Sequence, residues 1–164
     1  MKTEKLAIYG LLTALAMIFS YIESLLPVFI AVPGVKLGLP NIVVLFAVYK
    51  LGYKSAAAIS LVRVVLAGFM FGNLFAILYG GAGAVLSLCI IFLLHRSGRF
   101  SPVGVSVAGG VAHNAGQIAV AVAVTETARL VYYLPVLCIS GIAAGACIGL
   151  VSGIVIEKLQ NIKL

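Results

Sequence analysis

Apolar residues run in blocks along this chain rather than alternating with polar ones, and the blocks have the length of membrane helices. Six are delimited, at about residues 6–26, 39–48, 55–71, 74–94, 102–124 and 130–156. Windows of about 20 apolar residues can each cross a bilayer. The pattern therefore predicts an all-α integral membrane protein, a six-transmembrane-helix bundle forming a single domain over residues 1–164. The second and third blocks are short for a crossing. The second opens on Pro40-Asn41, a sound helix start because proline suits the first turn. The first block follows Lys2 and Lys5 and outruns the ~7–15 apolar residues of a signal peptide. It is read as a retained helix.

One stretch breaks the pattern. Residues 23–41 hold Pro27, Pro33 and Pro40, Gly34 and Gly38, with Glu23, Lys36 and Asn41, yet 28–32 stay apolar. Irregular backbone at membrane depth survives only where protein or a wet cavity satisfies its polar groups. Residues 27–41 are expected to form a partly buried cap over a binding site. The plainer alternative is a rigid turn outside the membrane, since Pro and Gly most often punctuate structure.

Composition agrees with a membrane bundle: the chain is 63% hydrophobic and 9% charged. A net charge of +7 invites a nucleic-acid partner, but the basic residues stand singly between apolar blocks, so none is expected. Their placement sets orientation instead. With the N-terminus inside, Lys2, Lys5, Lys50, Lys54, Arg96, Arg99, Lys158 and Lys163 are cytoplasmic, and only Lys36 and Arg129 lie outside. Lys and Arg accumulate in cytoplasmic loops. A multi-pass protein of the cell membrane with both termini cytoplasmic is expected. There is no Trp, so tyrosines must form the interfacial belt: Tyr9, Tyr49 and Tyr53 inside, Tyr21, Tyr132 and Tyr133 outside. Cys89, Cys138 and Cys147 lie in apolar blocks without metal-ligand spacing and read as packing residues.

Small residues recur every fourth position. The first block has Gly10 and Ala14, the fourth Ala76, Gly80 and Ala84, the fifth Gly104, Ala108, Ala112 and Gly116, and the sixth Gly141, Gly145, Gly149 and Gly153. Such rows let membrane helices approach closely. In the last three blocks they read as packing within the bundle; Gly10 and Ala14 face either the bundle or a partner.

Polar side chains inside the blocks are functional candidates, because a central Arg costs roughly 2.5–3.5 kcal/mol on insertion scales. Arg63 sits mid-way along the third block, and His113, Asn114 and Gln117 on the fifth. With the orientation above, Gln117, Glu23, Lys36, Asn41, Asn73 and Tyr79 fall in or near the outer half, with Arg63 and His113 as a floor. The asymmetry predicts a pocket closed below and open above, binding a small molecule. The competing role for Arg63 is a structural pair, and for His113 simple packing.

The run Pro33-Gly-Val-Lys-Leu-Gly-Leu-Pro-Asn41, preceded by Glu23 and Pro27, resembles the signature of proteins called heptaprenyl diphosphate synthase component I, also the Gx transporter family. That family is similar to the substrate-binding S components of energy-coupling-factor (ECF) transporters. The resemblance implies six helices, cytoplasmic termini, a loop covering an outward site, and small residues on the first helix docking a coupling subunit with its ATPases. Gly10 and Ala14 match that docking pattern loosely, the usual residues being alanines.

The enzyme name meets an obstacle. Prenyl elongation holds diphosphate through Mg²⁺ on clustered Asp, since hard cations take carboxylate oxygens. This chain has no Asp, and Glu4, Glu23, Glu126 and Glu157 are scattered. It also lacks a GxxxxGK loop for ATP. No enzyme activity, metal or cofactor is expected of it alone. Three functions stay open: a substrate-binding subunit for uptake of a vitamin- or isoprenoid/quinone-related metabolite, energised by a partner; a solitary transporter; or a membrane partner in prenyl-lipid or quinone metabolism or a redox complex. Membrane lipid is a contact of all three.

Overall fold

The computed structural model describes residues 2–25 and 36–161. Among them the chain forms six α-helices: α1 (Lys2–Leu25), α2 (Pro40–Leu51), α3 (Tyr53–Phe71), α4 (Leu74–Ser97), α5 (Pro102–Thr125) and α6 (Leu134–Lys158). A 3-10 turn, Ala128–Tyr133, precedes α6. There is no strand among the described residues.

The boundaries follow local chemistry. α1 begins before its apolar block because Lys and Glu propagate a helix well. Gly52 alone separates α2 from α3, at a φ of 85°. That sharp joint lets α3 start at Tyr53 and reach 19 residues. Before α5, Ser101 accepts the N–H of Gly104 at 3.2 Å and Pro102 follows, a side-chain cap with proline in the first turn.

Five helices, all but α2, are long and apolar enough to cross a membrane. α2 has 12 residues and at 1.5 Å per residue is about 18 Å long, against a hydrocarbon core of about 30 Å. Of the six helices expected, five thus reach spanning length among the described residues, and α2 is short.

Five helices close a ring in the order α2, α3, α4, α5, α6, with α6 returning to α2. α1 leans on the ring against α2 and α3, and among its described side chains only Leu12 and Ala16 are buried. α2 is the reverse: every residue from 43 to 48 is buried. A helix apolar on all sides belongs inside. At one end of the bundle Tyr9 hydrogen-bonds Ser55 (2.6 Å), Tyr49 meets His95 edge-on (4.4 Å) and Tyr53 packs on Phe92 (4.5 Å). Lys50 donates to the Leu159 carbonyl there. Tyr21 and Phe71 meet at the other end.

The glycine row of α6 lets its backbone lie against α5. A Cβ at Gly145 would stand 2.8 Å from the Ser106 carbonyl oxygen, and one at Gly149 2.6 Å from the Val103 Cα. Backbone cannot swing aside as a side-chain tip can. Gly149→Ala should therefore part the two helices and lower the unfolding temperature of the purified protein, at the ~1–3 kcal/mol usual for overpacking. Gly10→Ala, with nothing within 4 Å of the new methyl, should leave it unchanged. Equal behaviour of the two variants in a detergent melting experiment would contradict this packing.

Candidate functional site

The residues that interrupt the hydrophobic pattern meet inside the ring, around a cavity of about 650 Å³. That volume lies within the roughly 300–1,000 Å³ typical of ligand sites. Its walls come from α2 to α6, residues 36–38 and the last turns of α1.

The start of α2 organises it. Gly38 takes a φ of 73°, a left-handed conformation that side chains resist, and turns the chain sharply. Its carbonyl accepts the Asn41 N–H at 2.8 Å, and Leu39 accepts that of Ile42 at 3.1 Å. Its own N–H donates to Glu23 Oε1 on α1. This turn hangs from the last turn of α1 and leads inward. Asn41 Oδ1 accepts from Arg63 Nη2 at 3.3 Å, and Arg63 lies mid-way along α3. A Cβ at Gly38 would come 3.1 Å from Ile148 Cδ1, mid-way along α6. Ser152 of α6 donates to the Ile42 carbonyl at 3.3 Å. α2 therefore begins alongside the middle turns of α3 and α6 and close to the last turn of α1. Of the expected cap, residues 27–35 lie outside the described residues, while the part that follows enters the ring.

Arg63 is only partly provided for. Asn41 takes one N–H, while Nε is buried without a hydrogen-bond partner among the described residues. Glu23 acts on the guanidinium electrostatically, with no ion pair formed between them. The structural pairing weighed for Arg63 is present with Asn41, not with a carboxylate. On α5, the His113 ring lies against Gly83, within the field of the Arg63 and Lys36 charges. Gln117 packs on the same glycine and is 3% exposed. Asn114 donates its Nδ2 to the Leu137 carbonyl, so it braces α5 against α6 as well as lining the cavity.

Seven of the nine expected binding residues line this cavity: Glu23, Lys36, Asn41, Arg63, His113, Asn114 and Gln117. Asn73 and Tyr79 do not. Asn73 caps α4, accepting the Ala76 N–H at 2.8 Å, and Tyr79 stacks on Phe75. Both are explained by local structure, a cap and a ring pair. Nor are Arg63 and His113 the floor. The cavity continues along α3, α4 and α5 to Ser60, Ser87, Ile91 and Ser106. Sequence reasoning passed over these serines, and it read Ala76, Gly80 and Ala84 as packing when they form cavity wall. Gly10 and Ala14 are exposed on α1. Among the described residues, no three His, Cys, Asp or Glu side chains group as metal ligands would.

Five spanning helices around a partly polar cavity define a multi-pass, all-helical membrane protein. Residues 12–155 match the family of heptaprenyl diphosphate synthase component I, and the chain belongs to that family. No curated protein and no solved structure matches it.

Gly38→Val should disturb the turn without changing the helices. The left-handed backbone costs an L residue roughly 1–2 kcal/mol, and the added atoms press on Ile148 and Asn41. The expected result is an unchanged far-ultraviolet helix signal with a lower melting temperature. Gly38→Asn should lose less, because Asn tolerates this conformation.

Proposed function

We propose that this chain is the substrate-binding membrane subunit of an uptake system for a small metabolite, energised by a separate partner. The observation that carries the reading is the cavity, where polar groups from α1, α3 and α5 converge on the start of a helix that is only half a span long. Interrupted helices whose ends face a mid-membrane cavity are how many transporters hold their substrates. The likeness to ECF S components is of the same kind, and it implies a coupling subunit and ATPases as partners. The substrate class in view is vitamin- or isoprenoid/quinone-related. The bias of basic residues supports cytoplasmic termini in a cell membrane and a cavity loaded from outside.

A second reading is favoured by the family name, which implies a second synthase component. In it the chain is a membrane partner of prenyl diphosphate synthesis, and the Asp-rich chemistry belongs to the other component. Both readings need a partner, and both leave the exposed Gly10 and Ala14 on α1 as a place to dock it. A solitary transporter is the remaining alternative.

Orientation is tested after replacing Cys89, Cys138 and Cys147. A cysteine at Ser97 should react with an impermeant thiol reagent only from the cytoplasm, and one at Arg129 only from outside. The opposite result removes outward loading. For energising, Gly10→Leu with Ala14→Leu should leave the melting temperature and cavity binding near wild type and stop uptake in cells. Accumulation by the purified protein in liposomes under an ion gradient alone would replace the subunit by a solitary transporter. A prenyl-lipid defect without an uptake defect would select the synthase partner.

A further inference from the structure

We infer that the cavity holds the carboxylate or phosphate of an otherwise largely apolar ligand, with the oxyanion seated on Arg63. This rests on reading the cavity as a binding site, and does not require transport.

Three observations converge on it. The first is an under-bonded guanidinium: Arg63 lines the cavity, and among the described residues one long bond from Nη2 to Asn41 is its hydrogen bond, Nε being shut off within the protein. A carboxylate or phosphate matches the Nη edge of such a group with two parallel bonds. The second is the position of α2. Asn41, in its first turn, fixes the Arg63 side chain at the cavity wall, whereas the N–H groups of Asn41 and Ile42 are already taken by Gly38 and Leu39 and Pro40 has none, so an anion there is held by side chains. The third is the balance of charge. Lys36 and Arg63 face the cavity against a single carboxylate, Glu23, whose Oε1 already accepts the Gly38 N–H. His113 faces the same two cations, so α5 adds no anion to the site.

The rest of the wall describes the ligand's body. Beyond Arg63 the cavity runs between Val64, Leu88, Ile91 and Ile148, with glycines and alanines between them and the hydroxyls of Ser60, Ser87 and Ser106. Such a surface accepts a compact apolar or aromatic group bearing few hydrogen-bonding atoms. A second charged end has no counterpart there.

The test uses the full-length protein in phosphatidylcholine nanodiscs and four matched probes: phenylacetate, benzyl phosphate, phenylacetamide and benzylamine. The two anions should raise the melting temperature by several degrees, saturably, and the amide and amine should not. Arg63→Gln should weaken anion binding by about tenfold or more, with Arg63→Lys in between because a point charge lacks the fork. Equal stabilisation by phenylacetate and phenylacetamide, or full anion binding by a folded Arg63→Gln protein, overturns the inference. If Arg63→Gln does not fold, the probe ranking on the wild type decides by itself. Adding phosphatidylglycerol separates two sources of the oxyanion. Loss of the probe effect assigns it to a lipid headgroup, and persistence assigns it to a soluble ligand; both keep it at Arg63. Anion binding without cellular uptake would sink the transport reading and leave this one standing, whereas uptake that survives Arg63→Gln would do the reverse.

Discussion

A backbone that turns inside a membrane protein must satisfy its own polar groups, because lipid supplies no partners. The turn ahead of α2 meets that demand through a relay. Glu23 takes the Gly38 N–H, the Gly38 carbonyl takes the Asn41 N–H, and the Asn41 side chain takes Arg63. Three helices, α1, α2 and α3, are thereby set in register by one turn. The relay is also where the cavity's polarity comes from.

Glycine serves two ends in the same ring. On α6, Gly145 and Gly149 admit the backbone of α5, so those helices are joined with almost no side chain between them. On α4, a Cβ at Gly80 would meet only Val64 Cγ1, at 3.6 Å, and the space in front of it is cavity. One residue type therefore closes one side of the ring and hollows another. The difference lies in what faces it, which is a property of the assembled bundle.

This explains what could be read from the chain alone. The six helices are visible because apolar block length is a local property, and α2 was marked as short by the same rule. The cavity residues Arg63, His113, Asn114 and Gln117 stand out because polar groups in apolar blocks are costly wherever they point. Asn73 and Tyr79 looked similar for the same reason, yet a cap at a helix start and a ring against Phe75 account for them. Ser60, Ser87 and Ser106 left no mark, since a serine in a membrane helix can bond its own backbone and so signals nothing. The depth of the α2 turn was hidden too. It depends on which residues of α3 and α6 lie alongside, and no periodicity encodes that.

The arrangement also constrains how this chain can work with a partner. The uptake-subunit and synthase-partner readings both call for a second protein. The exposed face of α1 carries Gly10 and Ala14, while its last turns join the other five helices in lining the cavity. α1 meets that ring chiefly through α2 and α3, and at its far end through Glu23. A partner that shifts α1 therefore pulls on the carboxylate that holds the Gly38 turn. A ligand that draws Arg63 away from Asn41 loosens the same turn from the other side. On the proposed reading, occupancy of the cavity and the position of α1 would be linked through this one hydrogen-bonded turn, and linkage of this kind is reciprocal.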